Sequence, residues 1–83
     1  MIRASKLSQV LDNIKMWFED GRPLVDAEET LGVKPGSLLT FYRENAMLDA
    51  YDKPGPNQTA QDFINVTLLY LSLLALQRSR KKY

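Results

Sequence analysis

GRPLVDAEETLGVKPGSLLTFYREN, residues 21–45, decides how this chain folds. Leu24, Ala27 and Leu31 recur at spacings of three and four, the period of one helical face, while Asp26, Glu28 and Glu29 fall on the other sides. Acidic residues in the opening turns suit the positive end of this helix's own dipole, and Gly32 marks its stop. Pro35 suits a first helical position, because the N–H it lacks would have had no partner there. Leu38, Leu39, Phe41 and Tyr42 then predict a third helix from residue 35 to about 47 or 50.

On the N-terminal side, Leu7, Val10, Leu11, Ile14, Trp17 and Phe18 form an apolar face over residues 5–19, closed by Asp20-Gly21. Trp17 and Phe18 are adjacent, so one is expected to meet the last helix while the other seals the central unit. Tyr42, Tyr51 and Tyr70 are read as packing residues. Beyond the third helix, Asp52-Lys53-Pro54-Gly55-Pro56-Asn57 is a loop by its prolines and turn formers. A last helix then runs nearly unbroken over residues 59–81. The expectation is an all-α single domain, residues 1–83, with about four helices and a C-terminal oligomerisation helix over about 58–81.

The central stretch resembles the helix-turn-helix of resolvases, sigma factors and many phage and bacterial regulators. The residues that carry the resemblance are Gly21, Leu24, Ala27, Leu31-Gly32-Val33, the polar segment from Lys34 to Ser37, and Leu38 with Phe41. In such a motif two short helices cross through a turn of roughly three or four residues, which Gly32 permits and Val33 plugs. Leu24, Ala27, Leu31, Leu38 and Phe41 would face helix 1, leaving the opposite face of helix 3 for the major groove. The resemblance implies double-stranded DNA as partner and Lys34, Ser37, Thr40 and Arg43 as the contacting residues, through guanine edges or phosphates. The motif slot that usually holds a small residue falls on Glu28, with Ala27 one place earlier.

Composition narrows the chemistry. The 83 residues include no cysteine and no histidine, which removes disulfides, thiolate metal sites, the commonest remaining metal ligand and the usual general base. No catalytic constellation stands out among the carboxylates, lysines and tyrosines, so no enzyme and no cofactor are expected. Net charge is only +1, yet it is unevenly placed: Arg3 and Lys6 lie near one end, Arg78, Arg80, Lys81 and Lys82 at the other, with an acidic middle. The first ten residues lack the apolar core of a secretory signal, so the expected location is the cytoplasm.

The last helix is apolar almost all round, save for a strip made by Asn65 and Ser72. Phe63, Val66, Tyr70, Leu73 and Leu74 form one stripe; Ile64, Leu68, Leu71 and Ala75 form a second. A small domain has no interior for both, so the second stripe is expected to meet another chain, most simply a twofold mate. The uncharged run from Phe63 to Gln77 is shorter than the ~20 residues that cross a bilayer, so no membrane is expected. Two functions fit: a homodimeric transcriptional regulator that reads DNA, or a small protein-binding module, of the kind phages encode, that captures a host regulator or polymerase subunit through its apolar tail. Near-neutral charge, Glu28 and a Pro35-Gly36 start poor in side chains favour the second.

Overall fold

The structure, a computed structural model, describes residues 4–80, with side chains to residue 77. It contains four helices, α1 (Ala4–Asp20), α2 (Val25–Leu31), α3 (Ser37–Glu44) and α4 (Ala60–Arg80), and no strand beyond a single bridge between Leu48 and Pro54 among the described residues. The all-α class and the helix number agree with the sequence reading. Arg3, Lys81 and Lys82 lie outside the described residues, as do the side chains of Arg78 and Arg80 and the expected end of the last helix.

Val10 and Ile14 of α1 meet Leu24, Ala27 and Leu31 of the α2 segment, all of them buried. Asn13 adds a polar clamp, its amide donating to the Asp26 carbonyl and the Thr30 hydroxyl, both at 3.3 Å. The chain leaves α2 through Gly32, whose φ of +75° is open to glycine at little cost. There the Gly32 N–H reaches the Glu29 carbonyl and the Val33 N–H reaches the Glu28 carbonyl, so two of the helix's last acceptors are satisfied.

The third helix differs from expectation at both ends. Residues 34–37 form a β-turn closed by the Ser37 N–H on the Lys34 carbonyl at 3.0 Å, and the Gly36 φ of +90° is the left-handed value its third position needs. Pro35 therefore sits in the turn rather than at a first helical position, and five residues, 32–36, separate α2 from α3. At the other end Ala46 turns left-handed at φ +57°, letting its own N–H reach the Arg43 carbonyl and the Met47 N–H reach the Tyr42 carbonyl. These bonds end α3 at Glu44, short of residue 47.

Helix α4 begins with a reciprocal cap. The Thr59 N–H donates to the Asp62 carboxylate at 3.0 Å and the Asp62 N–H donates to the Thr59 hydroxyl at 3.4 Å. Phe63 is fully buried and collects the aromatic contacts: Trp17 at 5.0 Å between centroids, Tyr42 at 5.1 Å and Phe18 at 5.9 Å. Trp17 and Phe18 thus both meet Phe63 of the last helix, and Trp17 also reaches Tyr42 of the central unit at 5.7 Å between centroids. Tyr51, read as a packing residue, is instead 81% exposed at the tip of the loop after α3.

Beside Phe63 lies a buried polar chain. The Thr67 hydroxyl donates to the Phe63 carbonyl at 2.7 Å, leaving its oxygen free to accept from the Tyr42 hydroxyl at 2.5 Å. Thr67 is therefore inward, and it rotates α4 relative to both expected stripes. Ile64 is in the core at 6% exposure and Leu71 packs against it, whereas Leu68, Leu69, Leu73 and Leu76 face outward with Asn65, Ser72 and Ala75.

Burial pushes the Tyr42 phenol up to about 12, with the charge of Glu28 adding to the effect and the Thr67 hydroxyl opposing it. The folded state then holds a proton that the unfolded state releases near its ordinary value of ~10. Stability from this group is complete below about pH 10 and is lost as pH rises toward about 12, a loss of about 2–3 kcal/mol. Urea unfolding followed by circular dichroism across that window is expected to show this decline, and Tyr42→Phe to remove it; an unchanged decline in the variant would assign it to another group.

Candidate nucleic-acid interface

The α2–turn–α3 unit is organised around Glu28. On an exposed α2 its acidic opening would serve only its own dipole, but Glu28 is 2% exposed and its carboxylate lies under the start of α3. One oxygen accepts the Gly36 N–H at 2.8 Å; the other accepts the Leu38 N–H at 2.8 Å and the Leu39 N–H at 3.3 Å. A helix leaves its first N–H groups without internal partners, and Gly36 at the cap position has no side chain to offer. Glu28 supplies the missing cap from the preceding helix, with a negative charge at the positive dipole end of α3. Its buried position replaces the small residue that the resemblance would place there.

Helix α3 turns Leu38 and Tyr42 into the core and rests Phe41 on Tyr70 of α4, 4.9 Å between ring centroids. Among the four residues expected to contact DNA, Lys34 and Thr40 are exposed, Lys34 in the turn and Thr40 on the helix. Arg43 lies one turn beyond Thr40 on the same outward face. Ser37 is half-buried and stands near the Tyr70 phenol, which burial raises above its ordinary value and Ser37 draws back. The structure thus places Thr40 and Arg43 on one outward face of α3, leaves Lys34 exposed in the turn before it, and sets Ser37 near α4.

Arg43 already has a partner. Its guanidinium forks onto the Asp52 carboxylate, Nε donating to one oxygen at 2.6 Å and Nη2 to the other. Hydrogen bonds from Arg43 hold the Asp52 carboxyl below its ordinary value. Asp52 is presented by a tight loop in which the Asp49 carboxylate accepts the Tyr51 and Lys53 N–H groups, and Asp52 itself adopts φ +61°. Nothing in the spacing of the sequence signalled this partner, since the loop folds back across the end of α3. The pair is solvent-exposed, with 53% of the Arg43 side chain and 38% of the Asp52 side chain accessible.

A second feature was not read from the sequence. A groove of about 940 Å³ opens between the end of α1, the start of α2 and the loop before α4. Trp17, Phe18, Leu24, Leu39 and Pro54 give it apolar walls, and Arg22 and Lys53 stand among its lining residues. Among the described residues no cluster of acidic side chains could hold a metal ion, and no helix is long and apolar enough to cross a membrane. No family model, curated protein or solved structure matches the chain.

Removing the carboxylate leaves three α3 N–H groups without their acceptor, each worth about 1 kcal/mol or more in a buried setting. Glu28→Ala is expected to destabilise the fold by roughly 3 kcal/mol and Glu28→Gln by about half as much, since the amide keeps one acceptor oxygen. Thermal and urea denaturation followed by circular dichroism measure both, and a loss below about 1 kcal/mol for the alanine variant would show that water replaces the carboxylate.

Proposed function

We propose that this chain is a small DNA-binding regulator that works as a homodimer, with α3 as the helix offered to the major groove. The observation that carries the reading is the α2–turn–α3 unit itself. Its third helix is pinned from behind by Leu38 and Tyr42 and from below by Glu28, and it turns Thr40 and Arg43 outward, with Lys34 exposed in the turn before it. Rigid backing of this kind lets short side chains reach base edges in a fixed register.

The electrostatics set the character of the binding. Helix N-termini often hold phosphates through their free N–H groups, but in α3 those donors are taken by Glu28. Phosphate binding then falls to side chains, Lys34 and Arg43, with the basic residues near the chain ends. Arg43 must exchange Asp52 for DNA, which weakens its contribution. Net charge of +1 gives little long-range attraction, so binding should be modest, with a salt dependence set by the number of phosphates these side chains neutralise.

A second reading rests on the outward leucines of α4, at 42%, 51%, 40% and 59% exposure for Leu68, Leu69, Leu73 and Leu76. That face suits capture of another protein, and a protein-binding module built on the same scaffold would use it.

Electrophoretic mobility shift on mixed genomic fragments, at low and physiological salt, tests the DNA reading. Lys34→Ala and Arg43→Ala are each expected to weaken retardation severalfold, by roughly 1 kcal/mol, and to lower the salt slope by about one for each phosphate the variant no longer neutralises. Asp52→Asn frees Arg43 and is expected to tighten binding. No retardation at low salt by the parent protein would overturn the regulator and leave the protein-binding module.

A further inference from the structure

The outward face of α4 carries a pattern finer than general hydrophobicity. Val66, Leu69, Leu73 and Leu76 follow one another at intervals of three, four and three, the a and d spacing of a two-helix seam. Leu69, Leu73 and Leu76 are exposed and Val66 is half-buried at the edge of the core. Extending the same spacing reaches Asp62 in the first turn and position 80 in the last, where the sequence has arginine. The seam is thus apolar in the middle, acidic at one end and basic at the other.

We infer that the occupant of this face is the α4 helix of a second copy, running antiparallel with the twofold axis at the level of Leu71. In that register Leu69 meets Leu73 of the second copy, Val66 meets Leu76, and Asp62 comes level with Arg80, each pairing occurring twice by symmetry. Alternation of a against d across the seam is the layering of antiparallel helix pairs. The charges select the direction. A parallel pair would bring the basic last turns, with Arg78 and Arg80, side by side and align the two macrodipoles, whereas the antiparallel pair sets acid against base and opposes the dipoles. Asn65 and Gln77 also come level, so the amides on either border of the seam have a polar counterpart.

This pairing deepens the homodimer in the proposed function and rests on that part of it, but it does not depend on DNA binding. A twofold perpendicular to the helix pair keeps the two α3 helices on the same side, because each packs against α4 through Tyr70, Phe63 and Thr67, away from the seam. One surface of the dimer would then present both.

The absence of native cysteine makes the register directly measurable. Ser72 borders the seam next to the axis, so two copies of it stand only about 3 Å apart along the helices, whereas two copies of Asn65 stand about 18 Å apart. Sedimentation equilibrium is expected to give twice the 9.5 kDa chain mass, and Leu69→Glu or Leu73→Glu to return the single mass with the helical circular dichroism intact, since both side chains are exposed. With a short bismaleimide, Ser72→Cys should cross-link to its own copy and Asn65→Cys should not. A parent protein that stays monomeric, a glutamate variant that stays dimeric, or cross-linking through residue 65 rather than 72 would each overturn the pairing. A dimer with the expected cross-link that fails to retard DNA sustains the pairing and overturns the regulator.

Discussion

The central unit stands on the carboxylate of Glu28 beneath the first turn of α3. A helix of eight residues has few internal hydrogen bonds, and it begins at a glycine that offers no cap of its own. Glu28 can serve only because α2 is fixed first, by Val10, Ile14 and Asn13 of α1, and because the turn at 34–37 swings the Gly36, Leu38 and Leu39 N–H groups toward it. The chain order α1, α2, turn, α3 is therefore also an order of support. The same arrangement commits the N–H donors at the head of α3, so any anion recognised nearby must be held by side chains.

A second constraint acts from the opposite side. Tyr42 and Thr67 share a hydrogen bond between α3 and α4 in a setting with no water-exposed alternative. Burying a threonine at the centre of the interface between the helices fixes the rotation of α4, since its hydroxyl must lie where both the Phe63 carbonyl and the Tyr42 phenol can reach it. With Thr67 inward, the leucines at 68, 69, 73 and 76 have to face outward. The apolar surface left for a partner is thus a by-product of where one hydroxyl finds its partners, and its two polar residues, Asn65 and Ser72, sit in the middle of that surface rather than against the core.

Of the residues read as contacting DNA, Thr40 and Arg43 could be placed outward from helical period alone, because Leu38 and Tyr42 define the buried side of α3, whereas Lys34 lies in the turn before it. Ser37 could not, since its neighbour Tyr70 is brought to it by a helix that begins more than twenty residues later. The same reason hid Asp52: an exposed loop returned to Arg43 by two Asp49 hydrogen bonds has no periodic signature. The groove at Trp17, Phe18 and Leu39 lies between elements from three parts of the chain and was equally invisible.

The local part of the molecule was legible in the sequence: four helices, their approximate limits, the glycine that ends α2, the loop at 52–57, and the small core of Leu24, Ala27, Leu31 and Leu38. These follow from period, capping and turn chemistry, which act over a few residues and are written into neighbouring positions. It took the packed molecule to decide which helix Glu28 serves, where α3 truly begins, and which side of α4 is covered. Each of these depends on a polar group finding a partner on another element, and the free energy of that pairing is set by distance and burial in three dimensions, not by spacing along the chain.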